Sequence, residues 1–434
     1  MVEALRSVAS LLLGAGILIL GNGLIGITLP IRMGIEGLPP EVSGLVMSAY
    51  YGGLVGGCIY GPRIIGRVGH IRAFAAFAAV ISAATLLHAL WFAALPWAVL
   101  RAVSGFCMAG LFATIESWLN VRSSNETRGQ VLSLYMITAY FGSGLGQLLV
   151  NGWQVTGVEL FCLAALLLSL SLVPVVLTHV SAPDLAQIRP LPFRELYAIS
   201  PLGVAGAFGG GLISGGFYGM GAVFGQANGM SVLNVSLFMG VTVFGGLLLQ
   251  WPIGRLSDRF DRRTVLFWVL SATAAVCFAE YLLATTHAGL FWLLLGLTGL
   301  FGGFMATIYP ISLAHAFDYV ESDRTVAASA GMLLAWAIGA TCGPLLASWF
   351  MGQLGPSALF LFLVVVAALL AGFVRYRMSQ RPALPSEEQG PFVPLGQTAP
   401  GQTTVVAVQL DPRAEPIEET PAEEEPEERQ TAAG

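Results

Sequence analysis

The sequence predicts an all-α membrane protein with twelve transmembrane helices in two pseudo-symmetric six-helix bundles. Three observations predict it. The 434 residues are 56% hydrophobic and only 10% charged, with a mean hydropathy of +0.76, and so little charge cannot cover a soluble surface of that size. The apolar residues fall into twelve runs of spanning length. The chain also repeats itself. ATIESWL from Ala113 corresponds to ATIYPISL from Ala306 at an offset of 193. Arg67 in GRVGHIR corresponds to Arg259 in SDRFDRR at 192, and GSGLGQLL from Gly142 to GATCGPLL from Gly339 at 197.

In order, the runs lie near 8–31, 42–62, 73–95, 98–120, 129–151, 157–179, 199–222, 232–254, 264–285, 290–313, 326–350 and 357–375. The first is too long for a cleavable signal core and lacks a small-residue cleavage site, so it reads as a retained helix. Thr127 followed by Gln130 reads as a capping box opening the fifth, and Glu159 suits the positive end of the sixth. A longer loop at 180–198 separates an N-terminal bundle (1–179) from a C-terminal bundle (199–375). Six plus six helices in parallel repeat is the arrangement expected of an alternating-access transporter. Residues 376–434 form a tail rich in Pro and Glu. From 382 onward it holds eleven acids against two arginines, which predicts a disordered, solvated segment.

Arginine placement sets the orientation. All 20 basic residues are arginine, and 18 fall on one side if both termini are cytoplasmic; Arg32 lies in an outer loop and Arg101 within the membrane. Basic residues concentrate on the cytoplasmic side, so the expected setting is a bacterial inner membrane, multi-pass, with both termini inside. The five cysteines sit in apolar runs without ligand spacing and the five histidines are scattered. Neither a disulfide, a metal site, a cofactor nor an enzymatic constellation is expected.

The fourth run, Arg101–Asn120, carries the chemistry. Arg101 and Glu116 stand fifteen residues apart, about 22 Å along a helix, with Gly105, Met108 and Phe112 between them on the same face. A charge at the centre of a bilayer costs about 2.5–3.5 kcal/mol on insertion scales, so both should face protein or water. Glu116 is the candidate proton carrier. Arg101 needs its own partner or an aqueous cavity, or it snorkels to the interface. Asn22, Phe112, Tyr135, Gln250, Tyr309 and Trp336 are candidate cavity residues. Glu280 and His88 read as interfacial. Gly53, Gly57 and Gly61, and Gly211, Gly215 and Gly219, follow the small-xxx-small spacing that lets helices approach closely.

The loop Gly254-Arg-Leu-Ser-Asp258-Arg259-Phe-Asp261-Arg262-Arg263 resembles the G-x-x-x-D-R-x-G-R-R motif of the major facilitator superfamily, departing at Asp261, where the family has glycine. The first-half loop Gly66-Arg67-Val-Gly69-His70-Ile-Arg72 keeps the glycine and the basic residues but has no aspartate. Arg101-x-x-x-Gly105 resembles the superfamily's fourth-helix motif, and Gly339-x-x-x-Gly343-Pro344 its antiporter-type motif, here in the eleventh helix. QWPIGRLSDRF, ESWL with the downstream RGQ and GQLLV, and TIYPISLA are similar to the YcaD-like bacterial subgroup. The resemblance runs from about residue 10 to 375. It implies a secondary transporter without cofactors, with Arg101 inside the bundle near the outer end, assisting proton movement or holding an anionic group. It also implies that Asp258 latches the cytoplasmic gate by docking on the start of the fifth helix at Arg128 and Gly129, beside Arg259.

The expected function is proton-coupled efflux of a small organic, amphipathic solute. The alternatives are proton-driven uptake of a metabolite, lipid flipping, or a transporter-derived sensor that signals without flux. The expected partners are the solute, protons and the lipid bilayer, with no nucleic acid and a monomeric chain.

Overall fold

A computed structural model describes residues 2–123, 127–177, 191–286, 289–321 and 324–380, together with 382, 384, 389, 390 and 392. Twelve helices of spanning length follow one another: α1 (Val2–Ile35), α2 (Pro40–Val68), α3 (His70–Leu90), α4 (Ala94–Val121), α5 (Arg128–Leu148), α6 (Glu159–Val176), α7 (Pro201–Ala227), α8 (Val232–Arg259), α9 (Arg262–Thr285), α10 (Phe291–Phe317), α11 (Thr325–Leu354) and α12 (Ala358–Gln380). Ten are long and apolar enough to cross a membrane, or eleven when α7 is joined to the short helix Phe193–Ile199 that meets it at 116°. The exception is α5. It has the length, but it carries Tyr135, Tyr140, Ser143 and Gln147, all buried. Its polar groups face protein rather than lipid, as the cost of polar side chains in hydrocarbon requires. Trp268, Trp292 and Leu369 are exposed on the outside, as lipid-facing residues should be.

Local sequence explains the helix ends. Pro40 opens α2 at a position where its missing N–H costs nothing. Ser200 and Ser231 cap α7 and α8 by accepting from the backbone N–H of Gly203 (3.1 Å) and Asn234 (3.2 Å). Thr127 is the residue before α5, but its side chain makes no cap hydrogen bond. The two motif loops turn by different means. Gly69, between α2 and α3, sits at φ +83°, a conformation open to glycine and costly for other residues. Its counterpart Asp261 has φ −52° and caps α9 through its carboxylate, accepting from the Arg263 N–H at 3.1 Å. The departure of the second loop from the family's glycine is therefore a change from a backbone turn to a side-chain cap.

The same helix pairs pack in each half: α1 with α5 and α7 with α11, α2 with α4 and α8 with α10, α3 with α6 and α9 with α12. Glycines set the closest contacts. A side chain on Gly53 or Gly57 would overlap the α4 backbone at Ala102 and Phe106, and one on Gly211 or Gly215 would overlap α11 at Trp336 and Ala340. Without a hydrophobic drive between helices in lipid, such close backbone approach holds each half together. The halves meet along α2–α11, α5–α8 and α1–α7. Gly44 of α2 lies against Ser348, Ser48 Oγ donates to the Thr341 carbonyl at 2.5 Å, and Asn151 Nδ2 donates to Ser236 Oγ at 2.8 Å. These three contacts lie towards the face opposite the two termini.

Two expectations are corrected. Glu280 is not interfacial but fully buried between α9 and α10, where Thr298 Oγ1 donates to its Oε1 at 2.6 Å. His88 is buried as well, its Nδ1 2.7 Å from the Ala84 carbonyl and its ring 5.5 Å from that of Trp97. In both cases a neighbouring helix covers a side chain whose depth along its own helix suggested contact with headgroups. Residues 180–190 of the inter-bundle loop, Asp323 and the tail beyond 392 lie outside the described residues.

Candidate functional site

The site is assembled on α4. Gly105 rests against the Tyr50 carbonyl of α2, where no Cβ would fit. That contact draws α4 close enough to place the Arg101 guanidinium carbon 4.2 Å from the centroid of the Tyr50 ring. Arg101 is 1% exposed and its Nε has no hydrogen-bond partner. Among the described residues no carboxylate lies within ion-pair distance of it. Snorkelling is thus not what this arginine does. A buried guanidinium held by one aromatic face is partly compensated by cation–π attraction, and an unpaired buried charge remains costly.

Glu116, about 22 Å further along α4, is fully buried, and the Tyr135 hydroxyl of α5 donates to its Oε1 at 3.1 Å. The two charged groups therefore have separate partners. Phe112, between them, is fully buried in an apolar cluster drawn from both halves.

The remaining predicted residues fall into a string of polar aromatic groups crossing the interface between the halves. Asn22 Oδ1 of α1 accepts from Tyr50 OH at 3.4 Å. The Tyr50 ring lies 5.6 Å from Tyr51, Tyr51 lies 6.3 Å from Trp336 of α11, and Trp336 lies 6.3 Å from Tyr309 of α10. The Trp336 Nε1 is buried without an acceptor. Gln250 is placed differently: its Oε1 accepts from Tyr140 OH at 2.6 Å, so it ties α8 to α5 across the interface. The sequence reading missed Tyr50, Tyr51, Tyr140 and Tyr218; the last has a buried hydroxyl without a partner. The signal was present in the adjacent pair Tyr50-Tyr51. Successive helical residues point about 100° apart, so one such pair can serve two helices at once.

At the face carrying the termini, the motif residues are not assembled as expected from the family. Asp258 is 37% exposed. Its carboxylate accepts from the backbone N–H of Phe392 at 2.6 Å and lies 3.9 Å from Arg262. Among the described residues none of its partners is on α5. Arg259 is exposed at the end of α8, and Arg128 is buried at the start of α5, followed by Gly129, with its Nε unpartnered.

Twelve spanning helices in two like halves match what comparison with known proteins shows. The family model described as Major Facilitator Superfamily matches residues 11–290 and 203–408. The chain belongs to the major facilitator superfamily. It is 28% identical over 368 residues to an uncharacterized MFS-type transporter, YcaD, of Escherichia fergusonii, covering 83% of this chain and 93% of the relative. It is likewise 28% identical to YcaD of Salmonella typhi over 395 residues, 87% and 97% of the two chains. Among solved structures it resembles the nucleoside transporter NupG, with a TM-score of 0.66 at 14% identity over 86% of this chain and 98% of that one. It also resembles a bacterial homologue of the lysosomal transporter Spinster in an inward-facing, unoccupied conformation, with a TM-score of 0.65 at 15% identity over 87% and 98%. These likenesses identify the fold. The superfamily consists of membrane transporters rather than enzymes, and this chain is a multi-pass membrane protein of that kind.

Proposed function

We propose that this superfamily member is a secondary active transporter of the bacterial inner membrane that expels a small organic, amphipathic solute by alternating access in exchange for protons. One observation carries the reading: a carboxyl group, Glu116, is sealed inside a transporter on the same helix as an arginine that has no carboxylate partner among the described residues. Placing either there is expensive, and a buried group that can gain and lose its charge is what proton coupling needs. The Tyr135 hydroxyl orients the carboxyl. The Asn22–Tyr50–Tyr51–Trp336–Tyr309 string, which starts beside Arg101 and crosses between the halves, supplies ring surface and a few hydrogen-bonding groups, which suits an amphipathic solute better than a multiply charged one. Arginine placement puts both termini in the cytoplasm, so the motif loops form the cytoplasmic gate. There the Asp258 carboxylate latches onto the start of α5 at Arg128 and Gly129 when the gate closes. A helix N-terminus carries about half a positive charge, and a carboxylate there contributes about 0.3–1 kcal/mol when exposed and up to about 2 kcal/mol when partly buried, as in a closed gate.

The test is a thermal-shift ligand screen on the purified protein, since a bound solute raises apparent stability by mass action. It is followed by flux of the hits in sealed vesicles under an imposed pH gradient. Solute movement that responds to the gradient supports the reading. Binding with no flux would instead indicate a transporter-derived sensor.

A further inference from the structure

The cytoplasmic end of α8 holds a second set of contacts that the family motif does not require. Gly254 and Asp258 are four residues apart and share one face of the helix. The Phe392 ring lies over Gly254, in the space a side chain there would fill, and packs at the edge of a buried apolar cluster. One turn along, Asp258 accepts the Phe392 backbone N–H at 2.6 Å. Gly390 is gripped from both sides: its N–H donates to Asp318 Oδ1 at 3.2 Å, and its carbonyl accepts from the Arg262 guanidinium. Arg262 is itself 1% exposed and fixed by Asp318 at 2.9 Å. The helix ends of α8, α9 and α10 thus read the backbone of a short tail segment with charged partners, whose hydrogen bonds are the stronger kind, and anchor it with one ring. Gln389 donates to the Leu384 carbonyl at 3.1 Å, folding the approach. A tether of roughly ten residues from the end of α12 keeps the segment at an effective concentration in the millimolar range, so modest contacts suffice.

We infer that Gly390 and Phe392 are a built-in ligand of the α8–α9 motif loop: by occupying Asp258 they hold off the cytoplasmic latch, so that tail docking and gate closure exclude each other. The docking stands on the contacts above. The exclusion rests on the proposed latch between Asp258 and the start of α5.

The experiment uses the full chain in lipid nanodiscs. The photocrosslinker benzoylphenylalanine in place of Phe392 should crosslink to the 250–262 segment, and Gly254→Leu should abolish that crosslink by filling the ring's seat. Absence of the crosslink in the otherwise unaltered chain would overturn the docking. Spin labels at Ser133 and Arg255, exposed positions on α5 and α8, then report the gate. Phe392→Ala should raise the short-distance population five-fold or more, and adding Asp258→Asn should reverse the gain. If Phe392→Ala leaves the distances unchanged, the exclusion is overturned, and Asp258→Asn on that background tells the two failures apart. A further drop in the short-distance population would leave the latch standing and refute only the tail's part in it. No response would refute the latch as well.

Discussion

The two halves share a skeleton and differ in chemistry. Both are held by glycine-mediated backbone contacts: Gly53, Gly57 and Gly105 between α2 and α4, and Gly211, Gly215 and Gly339 between α7 and α11. At the 193-residue offset, Glu116 of the N half corresponds to Tyr309 of the C half, and Arg101 to Leu294. The charged membrane groups of the site thus lie in one half, while the other presents a phenol and an aliphatic side chain, Tyr309 and Leu294, at the equivalent places. At the α2–α3 and α8–α9 loops the asymmetry is reversed. The C half keeps Asp258 where the N half has Gly66, and it caps α9 with Asp261 where the N half turns at Gly69. Packing is duplicated because each half must satisfy the same membrane. Chemistry is not: the Arg101 and Glu116 pair of α4 and the Asp258 and Asp261 pair of the α8–α9 loop each occur in one half only.

The largest effect is expected at Glu116. Glu116→Gln preserves the shape and the Tyr135 contact but removes the titratable group, so gradient-driven flux should vanish while thermal stability and solute binding persist. Flux at the wild-type level would place the coupling elsewhere. Next comes Arg101→Lys. The variant keeps the charge but loses the planar fork that stacks on Tyr50, and transport should fall clearly in the same vesicle assay. An unimpaired variant would leave Arg101 as a charge whose geometry does not matter.

The latch comes third. In a chain freed of its tail contact by Phe392→Ala, Asp258→Asn should shift the gate towards inward-open. A latch of about 1–2 kcal/mol corresponds to a population change of about five- to thirty-fold, readable from spin-label distances. The smallest expected difference is between the glycines. Gly53→Ala in α2 and Gly245→Ala at the equivalent place in α8 each push a methyl group into a neighbouring backbone carbonyl, of Ala102 and Gly299, which costs about 1–3 kcal/mol. Their melting temperatures should fall by similar amounts, and a large disparity would break the claim of a shared skeleton.

Much of the fold was legible in the sequence because a bilayer accepts few solutions. Backbone polar groups must be satisfied within the spanning segment, so apolar length alone locates the helices, and α5 is the one whose polar residues blur the signal. The glycine contacts were legible through their spacing. The site was legible where one helix carries it, as with Arg101 and Glu116 on α4. It was not where partners come from opposite halves, since nothing local in Tyr51 announces Trp336, 285 positions away. Glu280 misled for a related reason: depth along α9 says nothing of Thr298, which reaches it from α10. The tail looked solvated because its acidic composition outweighs the few residues, Gly390 and Phe392, that make its contacts.

The central claim is that proton coupling belongs to the N half and is not interchangeable between the repeats. The measurement that tests it most directly is gradient-driven flux in vesicles for three proteins side by side: wild type, Glu116→Gln, and Glu116→Gln combined with Tyr309→Glu, which moves the carboxyl to the equivalent place in the other half. Each is first shown to bind solute by thermal shift. The account predicts that the double variant stays as inactive as Glu116→Gln, because the Tyr135 contact and the Arg101-bearing helix are both in the N half. Recovery of wild-type coupling in the double variant would contradict it.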